Sequence, residues 1–313
     1  MALARSSLGR GPAIVTWNGA TFFMRDSMVP KHSPVWKPVG TTHLGQIDKF
    51  RSDFVVKLSL TLFGLWSNLD KLFPSALLNP VPGTGLFGTD LPLVIQAKDG
   101  SNITYANAQL TKLSDVFLGV DAEMFAASVE FTCLMSNTAL LSGGPEVAGA
   151  YFTRSTAAYS ESSFSLANFL KTRWTAAWGA KAGFTSFIGQ QGFNVAWSLD
   201  LKPLVVDGYG TTEIVVGDGG LVATMKCVPI GPTAAQVDTA QGIPAANGTL
   251  LGAGGADLTM TALAGSHAVV LKSASMVDSA TAFGIEPLRV NETAWETTRA
   301  VVAGAVGTVA TLS

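Results

Sequence analysis

Phe54-Val55-Val56-Lys57-Leu58-Ser59-Leu60-Thr61-Leu62-Phe63 is the stretch on which the fold class turns. Phe54, Val56, Leu58, Leu60 and Leu62 share one face of an extended chain, and Lys57, Ser59 and Thr61 share the other. Successive side chains of a strand point to opposite faces, so the segment reads as a strand buried on one side and wet on the other. Phe193 to Lys202 repeats the pattern, with Phe193, Val195, Trp197, Leu199 and Leu201 against Asn194, Ser198, Asp200 and Lys202. Phe125 to Cys133 does the same, with Ser128, Glu130 and Thr132 on its polar side. A nine-residue strand spans about 30 Å at ~3.3 Å per residue, enough to line a passage. Asp99-Gly100 predicts a tight hairpin, because glycine accepts the positive φ such turns require, and Ala264-Gly265 is its counterpart. Helical signals are few and short. Ser67 is placed to cap a helix through Asp70 and Lys71 before Pro74, Pro232 to Thr239 is the matching segment, and Ser165, Leu166, Phe169, Leu170, Lys171 and Arg173 mark one more.

The second half of the chain echoes the first. Gly40-Thr41-Thr42 returns 170 residues later as Gly210-Thr211-Thr212, Leu69-Asp70 after 168 as Val237-Asp238, and Asp90-Leu91 after 167 as Asp257-Leu258. The run from Gly100-Ser101 to Leu118-Gly119-Val120-Asp121 returns after 165 as Gly265-Ser266 to Phe283-Gly284-Ile285-Glu286, and Phe131 after 164 as Trp295. Landmarks in one order, with an offset that drifts one way, read as a diverged duplication with small deletions. Leu86-Phe87-Gly88 against Leu250-Leu251-Gly252, at 164, breaks the drift. The expected organisation is a first domain over 1–140, a Gly/Ser/Ala-rich connector over 141–192 and a second domain over 193–313. Two domains also suit a chain of 313 residues.

Hydrophobic residues make up 48% of the chain and charged residues 13%, about half the usual charged share. Such a monomer lacks the polar residues to cover itself, so it needs a membrane, a very large core or extensive contacts with other subunits. No stretch reaches the ~18–20 uninterrupted apolar residues of a spanning helix, and no membrane insertion is expected. The N-terminus MALARSSLGRGPAIV has two arginines but no apolar core, so a cytosol-made protein is expected. A net charge of −2 gives no basic surface for nucleic acid. Cys133 and Cys227 sit in apolar strand-like runs at non-equivalent places and read as buried thiols.

Catalytic and ligand chemistry finds no purchase. Gly83-Thr84-Gly85-Leu86-Phe87-Gly88 matches a dinucleotide fingerprint only as a string, without the strand before and helix after. His32, His43 and His267 lack metal-ligand spacing, so no metal or cofactor is expected. There is no G-x-S-x-G elbow, and Asp121, Glu123 and Glu286 read as solvated strand-end acids. No enzymatic activity is expected. Gly217 to Gly220 and Gly252 to Gly255 read as loops. Met28 to Asp53 reads as a long loop carrying Pro30, Pro34, Pro38 and much of the exposed charge. Long loops on compact β domains are usually functional, and this one is read as an arm to a neighbouring subunit.

FRSDFVVKLSLTLFGLWSNLDKLFP (50–74) followed by GTGLFGTDLPLVIQAKDGSNITYANAQLTKLSDVFLGVDAEMFAASVEFTCL (83–134) resembles the tail tube proteins of long-tailed, siphophage-like bacteriophages. The shared order is a long strand, a short helix, a D-x-P-L-V-I strand, a DG hairpin and a closing V-x-F-T-C strand. The second half carries it through FNVAWSLDLKP, MKCVPIGPTAAQVD, LTMTALAGSHAVVL and the terminal strand. The resemblance implies a mainly β chain with two tandem β-sandwich or split-barrel domains, each with a short flanking helix. It implies a structural virion protein whose rings stack helically into a hollow tube, holding first a tape-measure protein and then DNA, without sequence-specific binding. Tail terminator and distal tail proteins would cap the ends; assembly would occur in the host cytoplasm and residence in the virion tail. Tail tubes commonly present six tube domains per ring, so a duplicated chain is expected as a pseudo-sixfold trimer, with a hexamer as the alternative. The expected inter-ring contacts are Met28, Pro30, Lys31, His32, Pro34, Trp36, Lys37, Pro38, His43, Asp48, Lys49 and Arg51, with Val205 to Gly219 as a shorter equivalent. The expected ring-wall strands are those of Phe54, Val56, Leu58, Leu60 and Leu62 and of Phe193, Val195, Trp197, Leu199 and Leu201. The competing reading is another virion shell component: a tail terminator, a distal tail ring or a capsid decoration protein.

Overall fold

The computed structural model describes residues 13–24, 30–63, 69–72, 78, 80–86, 90–112, 115–119, 126–141, 150–158, 173–207, 209–241, 255–263, 267–282, 289–297, 301–302, 305–306 and 310–312. The protein is mainly β, built from antiparallel sheets with short helices at their margins. Its first sheet begins with β1 (Ala13–Trp17) and β2 (Ala20–Met24), a hairpin. A long hairpin of β3 (Lys31–Thr41) and β4 (Gly45–Phe63) follows, then helix α1 (Leu69–Leu72). β5 (Leu93–Ala97) and β6 (Ser101–Tyr105) turn at Asp99-Gly100, where Ser101 donates to the Asp99 carboxylate from both its N–H and its hydroxyl. β7 (Asn107–Lys112), β8 (Val116–Leu118), β9 (Ala126–Leu134), helix α2 (Asn137–Leu141) and β10 (Phe152–Thr156) complete the half. The sheet order is β10-β6-β5-β1-β2-β4-β9-β7, with β3 on the side of β4.

The second sheet takes β11 (Trp174–Trp178), the long hairpin β13 (Phe193–Val206) and β14 (Gly210–Cys227), β16 (Ala256–Ala262), β17 (Ala268–Ala282) and β18 (Arg289–Thr297). A small ladder pairs β12 (Ile188–Gly189) with β15 (Pro229–Ile230), and helix α3 (Ala234–Gln241) lies between β14 and β16. β19 (Val301–Val302) pairs with β20 (Ala305–Val306), and β21 (Ala310–Leu312) with β17.

One pairing scheme occurs twice. The ladder β3-β4-β9-β7 recurs as β13-β14-β18-β17, and β1-β5-β6 recurs as β11-β16-β17. The order of these strands along the chain is the same, and a helix falls at the same place, with Leu72 of α1 and Val237 of α3 buried. A tryptophan pegs each sheet over onto itself. Trp17, at the end of β1, meets Phe131 of β9 edge-on at 5.1 Å and donates its Nε1–H to the Ala108 carbonyl of β7 at 3.0 Å. Trp178, at the end of β11, meets Trp295 of β18 edge-on at 6.0 Å and donates to the Ala274 carbonyl of β17 at 2.8 Å. Strands far apart in each sheet order are thereby brought face to face, the geometry of a sandwich or split barrel.

Several sequence readings need correction. Met28 to Asp53 is not a loop over its described part but the outer half of the β3–β4 hairpin; the prolines are accommodated because β3 pairs on one side only. The matched Gly40-Thr41-Thr42 and Gly210-Thr211-Thr212 are not equivalent. Thr41↔Gly45 closes the first turn and Val206↔Gly210 the second, and both glycines hold positive φ (67° and 75°), so the true counterpart of Gly210 is Gly45. Gly217 to Gly220 lies inside β14, as a bulge opposite Asp200, whose carboxylate accepts the Gly219 N–H at 3.0 Å. The 141–192 segment is not a connector: β10 is an edge of the first sheet, while β11 with Trp178, Phe184 and Phe187 fills the core of the second. The helix expected over Pro232 to Thr239 is present as α3. Met28, Trp66, Ser67, Pro74, Phe125, Asp121, Glu123, Glu286, Ser165 to Lys171, Gly252 to Gly254 and the Ala264-Gly265 turn lie outside the described residues.

The halves share one hydrophobic core. β8 crosses over to pair with β13, and residues 83–86 run along β14, with Gly83 N–H donating to Val216 O at 2.8 Å and Leu86 N–H to Ile214 O at 2.7 Å. This strand-like clip is the structural use of the Gly83-Thr84-Gly85 string. Truncating either peg empties a buried indole site and orphans a carbonyl. Trp17→Ala and Trp178→Ala are each expected to lose about 3–5 kcal/mol, read as lowered urea midpoints, with Trp→Phe at the same positions recovering part of the loss.

Candidate assembly interface

The outer half of the β3–β4 hairpin is exposed on both faces. It forms a two-stranded arm that carries Val35, Trp36, Val39, Leu44, Ile47 and Phe50 into solvent, with Leu44 75% and Trp36 55% exposed. Register shifts opposite Val35/Trp36 and Val39/Gly40 mark β-bulges at Ser52 and Ile47. Each bulge offsets the two-residue alternation, so apolar side chains emerge on both faces of the ribbon. Thr41 Oγ1 accepts the Leu44 N–H at 3.1 Å and tightens the tip. The outer edge of β3 holds Pro34 and Pro38, which have no N–H to offer a further strand.

At its root the arm is clamped by rings. His32 stacks on Phe152 of β10 at 5.1 Å and lies 6.5 Å from Tyr105, and Phe54 meets Tyr151 edge-on at 4.8 Å. Arg51 lies over Phe54 and Arg154 over Phe152. Burial pushes the Tyr105 hydroxyl up to about 12, with the nearby Cys133 thiol adding to the shift, and it also raises Tyr151.

Beside the root stands the second hairpin's tip. Asp53 accepts hydrogen bonds from the Thr211 N–H (3.0 Å) and the Thr211 hydroxyl (2.8 Å), and a Cβ at Gly210 would collide with its carboxylate. This tip exposes Leu204, Val205, Val206 and Tyr209. The exposed aliphatic and aromatic side chains therefore concentrate on two neighbouring hairpins.

The long strands each keep one open polar face. On β4 and β9, Lys57 lies 3.9 Å from Glu130; on the corresponding β14 and β18, Lys226 lies 3.5 Å from Glu292. Exposed pairs of this kind add little to stability. Their effect is to neutralise the cations on two strand pairs that occupy matching positions in the scheme.

Lys31, His32, Pro34, Trp36, Lys37, Pro38, His43, Asp48, Lys49 and Arg51 all fall on the single arm, with Pro30 immediately before it. His32 is the exception in orientation, because it packs into the root rather than facing outward. Val56, Leu58, Leu60, Leu62, Phe193 and Val195 fill the chain's own core, and Phe54, Trp197, Leu199 and Leu201 pack against it. Neighbours could meet these strands only by their opposite face or their edges. The sequence reading missed Val35, Val39, Leu44, Ile47, Phe50 and the Leu204 to Tyr209 tip. Their signal was the run of apolar residues threaded between prolines and glycines.

Among the described residues no group of three or more His, Cys, Asp or Glu is placed to hold a metal ion, and no helix is long and apolar enough to cross a membrane. No protein-family model matches the chain, and neither does any curated protein. Cys133 and Cys227 are free and buried. Burial pushes the Cys227 thiol from 9.0 up to about 12, and it pushes Cys133 up as well. The folded state therefore favours the neutral thiol, and this contribution is present below pH 9 and lost as pH rises toward 12. Neither thiol should react with a maleimide at pH 7.5 in native protein, and both should react in denaturant, as mass spectrometry would show. Asp53→Ala leaves the Thr211 donors without their acceptor; it is expected to lower stability by about 1–3 kcal/mol and to speed hydrogen exchange at the Thr211 amide.

Proposed function

We propose that this chain is a structural virion protein that forms the hollow tail tube of a long-tailed bacteriophage. The observation that carries this reading is a strand scheme that occurs twice in one chain, each copy extended by a hairpin whose exposed side chains are apolar. A ring assembled from such chains needs half as many polypeptides as tube domains, so three chains would supply six. The low charge content agrees with burial between subunits. The ribbon pairs β4–β9 and β14–β18 supply long walls, and each sets a neutralised, serine-bearing or asparagine-bearing polar face opposite the core. A wall without excess cations would let DNA pass without adhering, since phosphate neutralisation by Lys and Arg dominates nonspecific binding. The tape-measure protein and then DNA would occupy the lumen, and terminator and distal proteins would close the ends.

Electron microscopy of purified protein tests this reading. Hollow rods whose cross-sections average to pseudo-sixfold rings of three chains are expected. Single closed rings that never extend would favour a terminator or distal ring, and a persistent monomer would defeat the tube. Replacing residues 36–50 by a short turn should leave a folded monomer, with unchanged far-ultraviolet circular dichroism, and no rods.

A further inference from the structure

Hairpins that project from one end raise the question of what receives them. β13 and β14 run antiparallel for their whole length, from Val206↔Gly210 at the arm end to Asn194↔Lys226 at the other. At that far end Phe117 pairs beside Asn194, Ile188 pairs with Ile230, and all three apolar side chains are more than two-fifths exposed. The segments are contiguous: the ring of Phe117 closes over Gly119, which also approaches the Gln191 carbonyl, and Gln190 N–H donates to Val228 O at 2.9 Å. This is a second apolar patch, formed by β8, β12 and β15.

The two apolar surfaces cannot meet within one chain. Thr211, at the arm's root, and Cys227, at the far end, are separated by roughly 50 Å of strand at ~3.3 Å per residue. The arm extends a further ~25 Å beyond Asp53 on the same scale and lies outside the body of the fold. Their charges are also of opposite sense. The arm carries Lys31, Lys37, Lys49 and Arg51 against Asp48. Beside the far patch stands Asp115, while Lys226 is already paired with Glu292.

We propose that the arm of one copy of this chain seats on the Phe117, Ile188 and Ile230 patch of the next copy. The contact is heterologous, joining different surfaces at opposite ends, so it repeats along an axis without closing and generates an open filament. It rests on the tube reading only for its setting, where the axis is the tube and the contact joins successive rings. Apolar side chains supply the attraction, and the lysine-rich arm facing Asp115 fixes its polarity.

Two single-cysteine variants, Trp36→Cys and Ile230→Cys, test the contact with a short bis-maleimide, since the native thiols are buried. A mixture of the two should give crosslinked dimers that neither variant gives alone. Equal crosslinking of Trp36→Cys with itself would overturn the proposal in favour of arm–arm pairing, and absence of crosslinks in the mixture would overturn it outright. Phe117→Asp with Ile230→Asp provides the second arm of the test. Both positions are exposed, so the fold should survive while long rods are lost and ring-sized particles remain. Rods of wild-type length from that variant would defeat the acceptor assignment and leave the tube reading standing. Mixed crosslinks from a protein that forms no hollow rods would do the reverse.

Discussion

The tryptophan pegs decide where the interior of this protein ends. A single sheet buries nothing unless a second layer covers it, and here each sheet supplies its own cover by folding over. The indole fixes that fold twice over, through edge-on contact with a ring on a distant strand and through an N–H that must find an acceptor once buried. Trp17 uses Phe131 and Ala108; Trp178 uses Trp295 and Ala274. From Val56 to Leu62 strand β4 lies under this cover, and the alternate side chains are buried. Before Asp53 it has no second layer, so both faces of the hairpin are wet. The exposed arm is thus a consequence of strands longer than the core that the pegs enclose.

Much of the core was legible because burial imposes period two. Val56, Leu58, Leu60 and Leu62, and Val129, Phe131 and Cys133, are buried as their alternation requires. Alternation fades where one-sided burial fades: Phe193 and Val195 are buried, but Trp197, Leu199 and Leu201 only partly. Where neither face is buried nothing selects a pattern, and residues 31–51 concealed a hairpin behind two prolines. Pro34 and Pro38 read as breakers because a central strand excludes them; an edge strand does not. The glycine-rich 217–220 stretch concealed a bulge for a related reason, since its glycines make room for Asp200 rather than ending the strand.

The second half's echo was legible in order but not in register. Phe131 and Trp295 were matched correctly as sequence, and both face a pegging tryptophan. Gly40-Thr41-Thr42 was matched by identity alone to a segment on the other side of a turn. Positive φ at Gly45 and Gly210 is the better guide, because backbone geometry constrains a turn more tightly than side-chain identity does. The join between halves left no mark in the sequence at all. A three-residue strand, β8, and a clip of four residues, 83–86, make contacts too short to carry any periodicity.

The arm combines features that pull in opposite directions, and the combination says how it associates. Exposed two-stranded ribbons invite further strands to add at their edges, a route to indiscriminate aggregation. Prolines on the edge of β3, bulges on β4 and flanking lysines all oppose that route. The faces of the ribbon, by contrast, carry Val35, Trp36, Val39, Ile47 and Phe50, which no monomer gains by exposing. Blocking the edge while keeping the faces apolar leaves side-chain packing as the mode of contact. Packing discriminates between partners by shape, whereas backbone pairing accepts nearly any extended chain. A protein that must polymerise with copies of itself and with little else has reason to separate the two in this way.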